Sequence, residues 1–220
     1  MDMKTSGQTG EVSAPAWQGR LAGVHHTARP VWKLAQTVAF YRDVLGLPLV
    51  HAVSAKGWGI EGHGDFLHFF FESGRGSTIA FFYYLGSEMP DWAAPRMHPV
   101  STATHTAWAV ETHDELLAWK AHLEATGVAV SPLTRHEVIE SLYFADPNGY
   151  PFEITWQTRD FCAADARDAA LTLEAAIAAE SDAQGQGRRV DAIEEIWRRK
   201  GGQQDRQPRR RAKAPEGAPA

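Results

Sequence analysis

Two histidines and a glutamate are the residues of this chain whose types and positions point to chemistry. His26 lies in "VHHTARPV" and His105 in "THTAWAV", so His-Thr-Ala occurs twice, each time in a short β-like run just ahead of a helical pattern. Glu153 lies in "YPFEITW", a carboxylate between Phe152 and Ile154 in a segment otherwise made of strand formers. Burying that carboxylate is costly unless something pairs with it. Two imidazoles and one carboxylate brought together match the 2-His-1-carboxylate set that holds a divalent metal with coordination positions left open. A lone histidine is ordinarily a surface or satisfied core residue, and a strand glutamate ordinarily faces solvent. Agreement of residue type and place within a repeated unit is what favours the metal reading here.

The elements that must position these residues repeat as well. In the first half, the strand "LAGVHHTARPV" precedes a helix at about 32–45, with Leu34, Val38, Tyr41 and Leu45 on one stripe and Gly46 as its stop. The strand-like segments "LPLVHAVS", "FLHFFFES" and "STIAFFYYL" follow, the last two joined by "GRG". In the second half, "THTAWAV" precedes a helix in "THDELLAWKAHLEATG", with Thr112 and Glu115 at capping-box spacing and Gly127 as its stop. Then come "VAVSPLT", "ESLYFAD" and "YPFEITW", with "DPNG" turning between the last two. Each half therefore reads β-α-β-β-β. The expected fold class is α+β, with two βαβββ modules at 21–86 and 100–158 forming a curved, barrel-like mixed sheet around a central metal cavity, helices outside. Strand alternation puts about half of the aromatic residues in "HFFF" and "FFYY" on the cavity face and half under the helices.

The 220 residues are 44% hydrophobic, enough for one good core or two small ones. A formal net charge of -5 argues against a nucleic-acid binder as a whole. One cysteine, Cys162, excludes an internal disulfide and suits a reducing cytoplasm. No run approaches the roughly 18 apolar residues of a membrane span, and the N-terminus lacks the apolar stretch of a secretory signal, so a soluble cytoplasmic protein is expected. Residues 1–18 read as disordered, 160–199 as a C-terminal extension of two helices interrupted by the glycines of "DAQGQGRR", and 200–220 as a basic, solvated tail. The C-terminal helices have three possible roles from sequence: covering a sheet edge, mediating a dimer, or forming a lid.

"FYRDVLGL", "THTAWAV" and "SLYFADPNGYPFEI" resemble the vicinal oxygen chelate superfamily, which includes glyoxalase I, bleomycin resistance proteins, fosfomycin-modifying enzymes and extradiol dioxygenases. The resemblance covers 21–158 and implies metal ligands at His26, His105 and Glu153, with His25 pointing the other way. Matching Gly76 to Gly149 puts Ala80 at the position where glyoxalase I-like members carry a further carboxylate, and alanine cannot bind a metal. A three-ligand site favours an extradiol-type dioxygenase using Fe(II), with Mn(II), Zn(II) or Ni(II) as other metals, on a catecholic or vicinal-oxygen small molecule. A glyoxalase-like lyase or isomerase, or a thiol transferase, is the alternative on the same scaffold; a metal-free binding or resistance protein is the second. The resemblance also implies acid/base roles for Tyr143 and for His136 in the loop "LTRHEVIES", imidazole being the side chain that ordinarily exchanges protons near neutral pH. It further implies a homodimer, with a cavity either within one chain or, where modules are exchanged, between chains. One departure stands against the ring-cleaving assignment: where extradiol enzymes carry a further acid/base histidine this chain has Pro90, and His98 is the nearest upstream histidine to His105.

Overall fold

The computed structural model describes residues 22–58, 61–94 and 103–206. The segment 1–18, His98 and the tail from 207 onward lie outside the described residues. The chain divides into two compact units, Met1–Leu133 with Ser141–Thr155 and Thr134–Glu140 with Trp156–Ala220.

The described elements are β1 (His26–Pro30), α1 (Leu34–Ala39), which widens into a π-helical turn at Phe40–Val44, β2 (Leu49–Lys56), β3 (Asp65–Gly74) and β4 (Ser77–Tyr84). After a 3-10 turn at Asp91–Ala93 come β5 (Thr106–Val110), α2 (His113–Ala125), β6 (Thr134–His136), β7 (Ile139–Ala145) and β8 (Pro151–Gln157). The chain ends in α3 (Ala163–Gly185) and α4 (Ile193–Arg206). The first four strands form a sheet in the order β1-β4-β3-β2 and the second four a sheet in the order β5-β8-β7-β6. In the first sheet β1 runs parallel to β4 and the other pairs are antiparallel. This is the α+β, twice-repeated βαβββ architecture expected from the sequence, with helices added at the C-terminus. No described helix is long and apolar enough to cross a membrane.

Alternation along the strands sorts the aromatic residues. Phe69, Phe71, Ile79 and Phe81 are buried against α1, where Tyr41 packs on Phe81 at 4.5 Å and on Phe71 at 5.8 Å. Tyr41 also meets Phe152 of β8 at 6.0 Å, so one helix closes a core shared by both sheets. The capping box forms as expected: the Glu115 amide donates to Thr112 Oγ1 and the Thr112 amide donates to Glu115 Oε2.

The "DPNG" sequence does more than turn the chain. Asn148 is buried, and its Oδ1 accepts from the Trp32 and Lys33 amides at 3.2 and 3.3 Å, while its Nδ2 donates to Thr37 Oγ1 at 2.9 Å. A turn of the second module thus takes up the amide of the α1 N-cap residue, Lys33, and that of Trp32 just before it. Asp146 beside it accepts from the Tyr41 hydroxyl at 3.0 Å.

Three local expectations change. "VAVSPLT" is not a strand through most of its length; β6 begins only at Thr134, past Pro132, which has no amide to give to a ladder. His136 is therefore an exposed strand residue rather than a loop residue. The last helix runs on to Arg206, beyond the boundary expected at 199. In the second unit α3 ends at Gly185 and buries Ala175, Ala179 and Ala183, four apart on one face, while Arg199 and Lys200 of α4 pair with Asp182 and Asp168 of α3 at 2.8 and 2.7 Å.

Asn148→Ala leaves the two amides just ahead of α1 without acceptors and should cost roughly 2–4 kcal/mol in denaturant unfolding. Burial, reinforced by the Asp146 charge, pushes the Tyr150 hydroxyl, which donates to the Pro30 carbonyl at 2.7 Å, up to about 12. Its ordinary value is 10.0, so its contribution to stability is whole below pH 10 and lost between there and about pH 12. Tyr150→Phe should flatten that part of the alkaline unfolding profile.

Candidate functional site

Glu153 is 4% exposed although Phe152 and Ile154 on either side of it point into the hydrophobic core. Trp108 of β5 stacks on Phe152 at 4.8 Å, which fixes the core face of this sheet and leaves Glu153 on the other. Backbone bonds at the two ends of the β7–β8 hairpin, Asp146 to Tyr150 and Thr158 to Val138, place Tyr143 opposite Glu153 and Ser141 opposite Thr155. The hydroxyls of Ser141 and Thr155 meet at 3.0 Å.

His105 stands one residue before β5 and its Nε2 lies 2.8 Å from Glu153 Oε2. Tyr143, opposite Glu153 on the hairpin, meets the His105 ring edge-on at 6.1 Å. Burial first and the Glu153 charge second raise the Tyr143 hydroxyl above its ordinary value, with Ser141 opposing. Glu153 Oε1 is enclosed and has no hydrogen-bond partner. An enclosed carboxylate oxygen without a partner is expensive, and beside an imidazole nitrogen it completes an N,O donor pair of the kind divalent ions take. The residues present fit a metal in that respect.

The structure brings together three of the five sequence-selected residues: His105, Glu153 and Tyr143. His26 lies in the first sheet, where its ring meets Phe70 at 5.8 Å. Among the described residues no three His, Cys, Asp or Glu side chains are grouped to hold a metal ion. His25 does not point away from His26: their Nδ1 atoms lie 2.8 Å apart. β1 begins only at His26, so strand alternation does not separate the two rings. Ala80 is fully buried and opposite Phe70, as Glu153 is opposite Tyr143, so the alignment of the two halves holds and the first half has no carboxylate there. His136 belongs to the second compact unit. Ser141 was missed in the sequence; its signal was its place two residues before Tyr143, on the same strand face.

Paired βαβββ units with a histidine–glutamate pair on the face away from the helices define the class of protein. The model of the Glyoxalase/Bleomycin resistance protein/Dioxygenase superfamily matches residues 23–154, and the chain belongs to that family. Among solved structures it is similar to lactoylglutathione lyase from Agrobacterium tumefaciens, at 22% identity over 63% of this chain and 96% of that one, with a TM-score of 0.43. A putative dioxygenase from Bacillus subtilis subsp. subtilis str. 168 matches at 23% identity over 61% and 40%, with a TM-score of 0.45. A genomically encoded fosfomycin resistance protein from Listeria monocytogenes matches at 18% over 63% and 96%, with a TM-score of 0.43.

A divalent ion held at this pair stabilises only the folded chain. Saturating Mn(II) or Zn(II) at about 100 times its Kd should add roughly 2.7 kcal/mol, read as a rise in melting temperature. The rise should vanish in Glu153→Gln, and its persistence there would place the ion elsewhere.

Proposed function

We propose that this chain is a metal-dependent enzyme, an extradiol-type dioxygenase acting on a catecholic or other vicinal-oxygen small molecule, and that it works as a homodimer. The observation that carries the reading is Glu153, enclosed, with one oxygen on His105 and the other unpartnered. His105 and Glu153 would hold the ion, Fe(II) by this reading, and His26 would be the third ligand. By this reading a second copy supplies His26, which is exposed. When bound, the ion supplies Lewis acidity and open positions for adjacent substrate oxygens.

The chain's own residues have separate tasks. Glu153 offers charge in a site that its burial keeps dry, which strengthens every electrostatic contact made there. Tyr143, opposite Glu153 on the hairpin, would hydrogen-bond a substrate oxygen beside the ligands. His136 is assigned the second proton-handling role on its residue type and on the family resemblance.

Two measurements test this. His105→Ala and Glu153→Ala should each lose metal affinity beyond the roughly 10–100-fold that loss of an outer partner of a ligand costs. Unchanged metal content in both variants would remove the ligand assignment. Protein loaded with Fe(II) should consume oxygen with at least one member of a catechol panel; metal binding without uptake on any diol would reassign the chemistry to a lyase, isomerase or thiol transferase.

A further inference from the structure

The face of the first sheet turned away from α1 carries more chemistry than packing requires. Register sets Phe66, His68 and Phe70 of β3 opposite Tyr84, Phe82 and Ala80 of β4, and sets His51 of β2 opposite Phe70. His68 stacks on Phe82 at 3.7 Å with planes 9° apart and lies 4.3 Å from Phe70. Trp58 stands edge-on to the group, 4.8 Å from Phe66, 5.8 Å from His68 and 6.0 Å from Phe82, while remaining 53% exposed. Its place depends on Gly57, which has φ of +56° and where a Cβ would come within 2.9 Å of the His63 carbonyl oxygen. Only glycine tolerates both.

His68 is the buried polar member of this face, at 4% exposed. Its Nδ1 lies 3.1 Å from the Phe81 carbonyl oxygen. A carbonyl only accepts, so Nδ1 carries the proton and Nε2 presents a lone pair. Burial first, with His26 and His51 adding repulsion, holds His68 below the ordinary histidine value, against the pull of the Phe81 bond. The imidazole is therefore a neutral acceptor. The described side-chain atoms that are both enclosed and unpartnered are Arg29 Nη1, His63 Nδ1 and Glu153 Oε1. Among the described residues Nε2 of His68 has no hydrogen-bond partner, and it lies on the face that half-exposed Trp58 borders.

We propose that His68 anchors a ligand: Nε2 accepts a hydrogen bond from an O–H or N–H carried by a flat ring that stacks among Trp58, Phe70 and Phe82. The proposal rests on the preceding reading for placing this face in the substrate cavity, but the contact itself requires no metal. Trp58 and the two phenylalanines supply the ring surfaces. His68 supplies the selection, because a ring of the same shape without the donor leaves a largely buried acceptor unpaired.

The test uses the full-length chain, with and without chelator, and two probes of one shape, phenol and its methyl ether anisole. Long-range imidazole nitrogen NMR reads His68 Nε2 directly, and ligand-observed NMR reads affinity. Phenol should shift the Nε2 resonance under both conditions and anisole should not. His68→Phe, which keeps a flat ring and loses the acceptor, should weaken phenol by about 3–10-fold, the worth of one hydrogen bond, and leave anisole within about twofold. Equal responses to the two probes, or unchanged phenol affinity in His68→Phe, would overturn the assignment. A response seen only in metal-loaded protein would overturn it too, by giving the contact to the metal centre. A His68 response in a chain that binds no metal would keep this proposal while removing the metal-dependent one. Should His68→Phe fail to fold, the Nε2 resonance of the unaltered chain decides alone.

Discussion

One carboxylate constrains the second half of this protein. Glu153 is taken out of water on a strand whose neighbouring side chains fill the core, and its charge must be compensated where it stands. His105 meets one oxygen, yet the other has nothing from the chain. A purely structural residue at this position would be better as an apolar one, since replacing a buried ionic group by packed hydrocarbon is often neutral or stabilising. The hairpin register, the DPNG turn and the Trp108–Phe152 stack all serve to hold that carboxylate on the face away from the helices.

The duplicated architecture turns one template into two unlike walls. In the second module His105, Glu153, Tyr143 and Ser141 make a charged, hydrogen-bonded set. At the corresponding places of the first module stand His26, Ala80, Phe70 and His68, with flat rings in place of the carboxylate and hydroxyls. Fully buried Ala80 closes the position where a second carboxylate would bind, and Phe70 brings His26, His51 and His68 around one ring. Charge is concentrated on one sheet and aromatic ring surface on the other.

The repeat and its element order were legible because they are written locally: the helical stripe ending at Gly46, the capping box of Thr112 and Glu115, and strand alternation in "FLHFFFES". The match of Gly76 to Gly149 was enough to place Ala80 correctly. Features that depend on distant neighbours were not legible. Asn148 reads as a turn residue, and its service to the first helix appears only when the modules meet. His25 and His26 were read as pointing apart because alternation was applied one residue before the strand begins. His68 looks like one more position in an aromatic strand; its fixed tautomer comes from the Phe81 carbonyl of the neighbouring strand. The pairing of His105 with Glu153 followed from residue type and place, whereas the position of His26 relative to them did not.

The most direct measurement is anomalous X-ray scattering at the absorption edge of the bound metal in crystals of the metal-loaded protein. The account predicts one strong peak about 2.0–2.2 Å from His105 Nε2 and from a Glu153 oxygen, with His26 of a second copy completing the set. A peak away from Glu153, or a saturated crystal in which His105 and Glu153 remain bonded only to each other, would contradict it.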